Sequence, residues 1–226
     1  VNKGVNFIDR FNIYDKSILD KIDYNIICLS HRPDLSSRAI EKISHLNVNI
    51  VTKLSRCFSE ILNSSIFESA HEFNIILNHK MQPEEMHIVK ILNLLSLGYG
   101  MAAVGSFHLF GFSKELFRII GHWDERFTPG EYEDCDFLIR IHEANIAWFL
   151  SKELKDHQNI GSGFGGSDLP RQWFRKKWGL ENSHDLSKYT RFEQEQVKYN
   201  FGSKKSLKFL DHSFTIDYAS PGYKNI

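Results

Sequence analysis

The sequence of 226 residues has only three cysteines, Cys28, Cys57 and Cys135. They are odd in number, widely spaced and form no C-x-x-C pair. That excludes a disulfide framework and a zinc ribbon, and it suits a reducing compartment. No apolar run approaches the ~18–20 residues of a membrane span; the stretch 88–97 is broken by Lys90 and Asn93. Residues 1–23 are polar, amphipathic and acid-containing, and do not read as a secretory leader. Net charge is also missing: 28 Lys and Arg stand against 28 Asp and Glu. A protein that neutralises many phosphates is normally basic, so nucleic acid is not an expected partner. There is no internal repeat, no low-complexity tract and no strand followed by G-x-G-x-x-G, so a Rossmann dinucleotide site is not expected. The expected location is cytoplasmic, in solution or peripheral at a membrane.

What is present is enough for a core. Hydrophobic residues make up 42% and charged residues 25%. This fits one large domain, or one domain with a small appendage, and excludes wholesale disorder. The zero net charge is an average. Residues 1–150 carry 15 cations and 19 anions, and residues 151–226 carry 13 cations and 9 anions.

Apolar runs and turn signals alternate along the first hundred residues. Residues 24–30 (YNIICLS) read as a buried strand, followed by a helix from Asp34 to about His45. Residues 47–52 read as a second strand, 57–67 as a helix, and 72–77 as a third strand. Pro83 then opens a helix that has Glu84 and Glu85 in its first turn and stops at Gly98. Strands alternating with helices predict an α/β fold with a mostly parallel central sheet flanked by helices. Ligands in such sheets bind beyond the carboxyl ends of the strands. Further on, 101–112 reads as a strand with turn residues Gly105 and Ser106, 114–120 as a short helix, and 121–130 as an aromatic loop. Residues 134–144 form an amphipathic helix and 147–150 a last strand. The glycine-rich segment 161–166 and the aromatic–basic segment 171–178 follow.

The strongest chemical signal is Gly121-His-Trp-Asp-Glu-Arg-Phe127 followed by Glu131-Tyr-Glu-Asp-Cys-Asp136. Glu133, Asp134 and Asp136 cluster where a helix should start. One reading is capping of the helix dipole by a solvated acidic face, favourable by ~0.3–1 kcal/mol per charge. The other is a carboxylate held in a cleft as a general base.

This block, residues 107–146, resembles the central block of inverting family 2-like glycosyltransferases of the GT-A fold. Those enzymes show a G-G-F-D-E-x-F-type loop before an E-D-x-D helix start. Here Trp123 takes the aromatic place and His122 replaces a glycine. The resemblance covers roughly residues 24–180. It implies a GT-A-like mixed, mostly parallel sheet, with a nucleotide-binding half over 24–100 and an acceptor and catalytic half over 101–182. Residues 1–23 are a lead and 183–226 a C-terminal extension. By the family pattern Asp134 is the catalytic base, and Glu133, Trp123 and Asp136 belong to the acceptor side, with Asp136 supporting the helix start.

The resemblance also implies a donor side. Ser30, His31 and Arg32 match the turn that receives the nucleotide base, although a strand-to-helix turn with an exposed arginine reads the same. His157 occupies the place of a histidine near the diphosphate. Residues 171–178 resemble a Y-F-x-K-K-W-G segment, in which Arg171, Arg175, Lys176 and Lys177 can face the diphosphate. In that segment Trp173, Phe174 and Trp178 either pack or stack on sugar. An amphipathic helix with Trp178 in the core and Lys177 in solvent explains it equally. The third strand departs from the family. Where a D-x-D motif would hold a divalent metal, this chain has Asn78-His79-Lys80, and a lysine offers no oxygen ligand.

Three readings of that departure stay open. Lys80 replaces the metal on the diphosphate; or His79 and His157 build a divergent Mn or Mg site; or catalysis is lost and the domain binds sugar or a partner. The expected function is inverting hexosyl or pentosyl transfer from a nucleotide-diphosphate sugar. The acceptor is a hydroxyl of a glycan, a lipid-linked glycan or a protein, as in polysaccharide or glycan biosynthesis, and no cofactor is expected. A nucleotidyltransferase would need a glycine-rich phosphate loop after the first strand, and residues 30–34 have none.

Overall fold

The computed structural model describes residues 13–30, 33–51, 57–105, 107–128, 130–151, 154 and 168–178. His31, Arg32, His157, the segment 161–166 and the extension 183–226 lie outside the described residues. Six strands form one sheet: β1 Tyr24–Leu29, β2 Val48–Val51, β3 Phe73–Asn78, β4 Met101–Ala103, β5 Leu109–Ser113 and β6 Trp148–Leu150. Their order is β2-β1-β3-β5-β4-β6. β1 pairs in parallel with β2 and β3, and β4 with β6; β5 runs antiparallel to both β3 and β4. Five strands therefore point one way and β5 alone is reversed. The sheet is mixed and mostly parallel, as expected.

The helices are α1 Ile18–Lys21, α2 Pro33–Ile40, α3 Phe58–Glu68, α4 Glu85–Ser96, α5 Lys114–Ile120, α6 Glu133–Glu143 and α7 Leu169–Trp178. Alternate side chains of each strand enter two different cores. Ile26, Cys28, Ile75, Leu77, Ala102, Leu109 and Phe149 join α4 on one face. Ile27, Leu29, Ile76, Met101, Phe110, Phe112 and Trp148 join α3, α5 and α6 on the other. This period of two is what a sheet covered on both faces demands. It also explains why β1 is buried along its whole length, whereas the edge strand β2 leaves Asn49 and Ile50 exposed.

α4 is the central buttress, with every residue from Ile88 to Leu95 buried. It comes so near the sheet that a Cβ on Gly111 would lie 2.5 Å from Ile91 Cγ2. Only glycine permits that approach at this point in β5. Pro83 precedes the helix rather than entering it. Glu84 is the N-cap and its N–H donates to His87 Nδ1 at 3.0 Å. None of the described helices is long and apolar enough to cross a membrane.

One expectation needs correction. The single strand over 101–112 is two strands, β4 and β5, folded back on each other with Met101 opposite Phe112. Gly105 lies in the turn, where Val104 N–H and His108 N–H close it onto Leu109 and Gly105 carbonyls. Two apolar runs around a glycine fold into a hairpin because each then finds pairing partners and a core face.

Candidate active site

The parallel strands place the ends of β1, β2, β3, β4 and β6 along one sheet edge. α6 belongs to the same edge. It packs on the aromatic core and feeds β6 at its start, so a helix of this length begins beside the ends of the parallel strands, ~16 Å from where β6 starts. The acidic run Glu133-Asp134-Cys135-Asp136 therefore opens toward the edge where ligands of such sheets bind.

The loop before α6 is held from below by α3. Asn63 donates through Nδ2 to the Trp123 carbonyl at 2.9 Å and accepts from Trp123 N–H at 3.0 Å. The same amide donates to Glu125 Oε1 at 2.9 Å. At the start of α3, Cys57 Sγ lies 3.6 Å from the Glu125 carbonyl. Gly121 takes φ +78° at the end of α5, a backbone that side chains resist. The loop thus climbs along α3 from the end of α5 to the start of α6.

At the top of that climb the backbone is strained. Glu131 and Tyr132 have φ of 81° and 67°. Neither is glycine, and a left-handed residue of this kind costs of order 1–3 kcal/mol. Tyr132 is the N-cap of α6, and its ring packs 5.1 Å from Phe174. Strain of this sort persists where surrounding packing fixes it, and it aims the first turn of α6.

The acids of that turn fall into two environments. Asp136 is 0% exposed. It takes hydrogen bonds from Arg140 Nε at 2.9 Å and Trp178 Nε1 at 2.9 Å, and pairs with Lys177 Nζ at 2.6 Å. Its neighbour from the loop, Asp124, is 1% exposed. It pairs with Arg126 at 2.5 Å and Lys177 at 2.8 Å, and Trp173 Nε1 approaches at 3.4 Å. Burial alone would raise the Asp124 carboxyl, but the bonds from Arg126 and Lys177 hold it well below the usual carboxylate range.

Among the described residues, no cation pairs with Glu133 or Asp134. Burial, reinforced by the charges of Asp134 and Glu131, pushes the Glu133 carboxyl up to about 8. Its Oε2 is buried and has no hydrogen-bond partner among the described residues. Asp134 Oδ1 accepts the N–H of Cys135 at 2.8 Å and the side chain is half-buried. Adjacent acids cannot both ionise easily, which adds to the upward push that burial gives Glu133. The arrangement can accept a proton at one carboxyl and donate a hydrogen bond from the other.

Two acceptor-side expectations are corrected. Trp123 is fully buried and stacks on Phe137 at 4.1 Å with an interplanar angle of 7°. It is a core residue that fixes the loop and offers no face to a ligand. Asp136 is saturated by an arginine, a lysine and an indole, so it anchors the helix and cannot bind an acceptor.

The α7 segment also sorts differently from expectation. Phe174 is buried with Phe127 and Ile139. Trp173 lies between Arg126, 4.2 Å from its ring, and Lys176, 5.6 Å from it. Lys177 is not in solvent but enclosed between two carboxylates. Arg171, Arg175 and Lys176 lie exposed on the outer side of the helix.

On the donor side, Ser30 is buried at the end of β1, its N–H donating to the Val51 carbonyl at 3.2 Å. Asn78 ends β3 and its N–H donates to the His108 carbonyl at 2.8 Å. The Asn78 amide oxygen is occupied by Lys80 N–H at 3.1 Å, which closes the turn. His79 and Lys80 are both buried, Lys80 being 9% exposed. The lysine is not a solvated loop residue. Ser30, Asn78 and Lys80 thus lie at the carboxyl ends of β1 and β3. The turn 78–83 contains no carboxylate. Among the described residues no group of three or more His, Cys, Asp or Glu side chains is arranged to hold a metal ion. A hard divalent ion wants several oxygen ligands, and this turn does not fit one.

Sequence reasoning missed the roles of Asn63, Asp124, Arg126 and Lys177. For Lys177 a signal existed. Residues 173, 174, 177 and 178 share one face of a helix, so a lysine among three aromatics needs a buried carboxylate.

Neither protein-family models nor the curated proteins give a match to this sequence. Solved structures do. The chain is similar to a mannosyltransferase from Pyrobaculum calidifontis solved with GDP-Man and Mn2+. The identity is 12% and the TM-score 0.53, over 78% of this chain and 68% of that one. A variant of a Drosophila β1,4-galactosyltransferase 7, solved with manganese, UDP-Gal and xylobiose, aligns at 10% identity and a TM-score of 0.42. That alignment covers 69% of this chain and 74% of that one; the fold assignment rests on the first. The chain has a GT-A-like fold.

Proposed function

We propose that the protein is a glycosyltransferase that moves a sugar from a nucleotide-diphosphate sugar to an acceptor hydroxyl with inversion. The observation that carries this reading is the Glu133–Asp134 pair. It stands at the opening of α6, on the carboxyl edge of a GT-A-like sheet, behind a strained and buried loop. Asp134 takes the acceptor proton. The acceptor oxygen attacks the anomeric carbon from the face opposite the leaving group, the bond to the diphosphate breaks, and the nucleoside diphosphate departs. Glu133, carrying its proton, donates a hydrogen bond to the acceptor. Polar groups already aimed at the developing charge are the largest usual source of rate in such reactions.

The donor lies along the ends of β1 and β3, near Ser30 and Asn78. Lys80 supplies positive charge to the diphosphate in the place of a metal ion, as an ammonium can. His31, Arg32 and His157 complete that side in this proposal, with Arg175 and Lys176 contributing from α7. Calorimetry with UDP-Gal and GDP-Man, with and without Mn2+, tests the reading. Binding that is unaffected by Mn2+ is the expected outcome. Binding that requires Mn2+ would overturn the role of Lys80, and favour a site built with His79 and His157. Failure of every nucleotide sugar to bind would overturn the transferase.

The contrasting reading is a GT-A-like domain that binds a sugar or a partner and does no chemistry. It predicts donor or glycan binding with no product, in the wild type as in Asp134→Asn.

A further inference from the structure

The mechanism above leaves the enclosed charge of Lys177 unused. Lys177 Nζ sits between Asp124 Oδ2 at 2.8 Å and Asp136 Oδ1 at 2.6 Å and is 11% exposed. It is where three segments meet: the loop 121–128, the first turn of α6 and the last turn of α7. Each carboxylate keeps its own arginine, Arg126 for Asp124 and Arg140 for Asp136. Charge neutrality within each segment therefore does not require Lys177. What the lysine adds is a link between segments. Trp178 makes a second link, donating to Asp136 at 2.9 Å, and Phe174 a third, packing on Tyr132.

Asp136 lies two residues from Asp134, and Tyr132 immediately precedes Glu133. Both anchors thus flank the Glu133–Asp134 pair, one on each side. A helix turn pinned at both ends cannot rotate or fray. We propose that Lys177 is a positioning residue: by bridging Asp124 and Asp136 it fastens α7 to the opening of α6 and fixes where the Glu133 and Asp134 carboxyls point. This rests on the transferase reading for its consequence in catalysis, but not for its geometry. A misplacement of ~1 Å in a reacting group can cost on the order of a hundredfold in rate.

The test uses Lys177→Met, Lys177→Arg and the milder Trp178→Phe, with three measurements on each. The first is urea unfolding, to establish that the variant is folded. The second is transfer from UDP-Gal or GDP-Man, whichever the wild type uses, split into kcat and donor KM. Lys177→Met is expected to lower kcat about tenfold or more with donor KM within about twofold. Lys177→Arg should restore part of the loss, and Trp178→Phe should show a smaller loss of the same kind. A folded Lys177→Met with wild-type kcat would overturn the proposal.

The third measurement needs no activity. The side-chain carboxyl of Glu133 is followed by carbon NMR as the pH is raised, with Glu133→Gln to assign it. Glu131 and Asp134 are the charged groups that push it up. Loss of the lysine's positive charge would by itself raise the midpoint further, so a fall cannot be a direct charge effect. The expected result is a downward shift of the Glu133 midpoint in Lys177→Met, because a loosened turn admits water. An unchanged midpoint in a folded variant overturns the proposal. If no nucleotide sugar is turned over by the wild type, the transferase reading fails, and this titration still decides the role of Lys177.

Discussion

Four acidic residues, Asp124, Glu133, Asp134 and Asp136, lie within thirteen positions of one another and have opposite fates. Asp124 and Asp136 are buried with cations, their lone pairs filled by Arg126, Arg140, Lys177 and two indoles. Glu133 and Asp134 are at least half-buried but have no cation among the described residues. The first pair is structural, and the second is the pair we propose as reactive. The difference does not come from residue type or from distance along the chain. It comes from what each side chain packs against: Asp124 in the loop and Asp136 in α6 both meet the last turn of α7, which brings positive charge.

The comparison can be broken most severely at Asp136. Replacing it with alanine leaves the buried Arg140 without a carboxylate and Lys177 with Asp124 alone. Breaking a buried pair costs about 3–5 kcal/mol, and urea unfolding should show a loss of that size. Asp134→Asn should do the reverse. Its stability should stay within about 1 kcal/mol of wild type, while transfer falls by about 10²–10⁴-fold, read from initial rates with saturating donor.

One member of each pair, Asp124 in the first and Glu133 in the second, answers pH in the direction opposite to the other. The Asp124 carboxyl is held below its unfolded value of ~3.9. Its stabilisation is present above about pH 4 and is lost as the pH falls below that. Glu133 is raised to about 8. Its contribution is fully present below about pH 4.5 and is lost as the pH rises through 8. Glu133→Gln should therefore flatten the fall in melting temperature between about pH 4.5 and 8, and leave the acid limb unchanged. The smallest effect expected is at Glu131, exposed and left-handed at φ 81°. Glu131→Gly relieves the backbone and removes a charge near Glu133. A gain of about 0.5–1 kcal/mol is expected, visible as a small rise in melting temperature.

Most of the fold could be read in advance because its signals are local. The run Ile26–Leu29 and the turn at Pro33 need no knowledge of the rest of the chain. The direction of β5 did need it. Residues 101–113 carry one apolar run with a glycine, and only pairing with β3 decides that the second half reverses. The site was legible where a pattern of types sufficed, as at Glu133 and Asp134. It was misread where burial decided the role. Trp123 sits in a loop of polar residues, and nothing in its neighbours announces that Phe137 stacks on it. Asp136 looked like a third site acid because its partners, Lys177 and Trp178, stand some forty positions away.

The reversed strand β5 has a consequence for how such a protein can change. Because β5 ends at the far edge, the chain must return through the interior to open α6, and it does so with Trp123, Asp124 and Phe127 buried. Surface loops tolerate added or deleted residues, and binding proteins commonly vary their ligands that way. This connection is a strut of the core, and a single inserted residue would move the Glu133–Asp134 pair. Relatives with different acceptors are therefore expected to keep its length and to differ in segments that leave the sheet elsewhere.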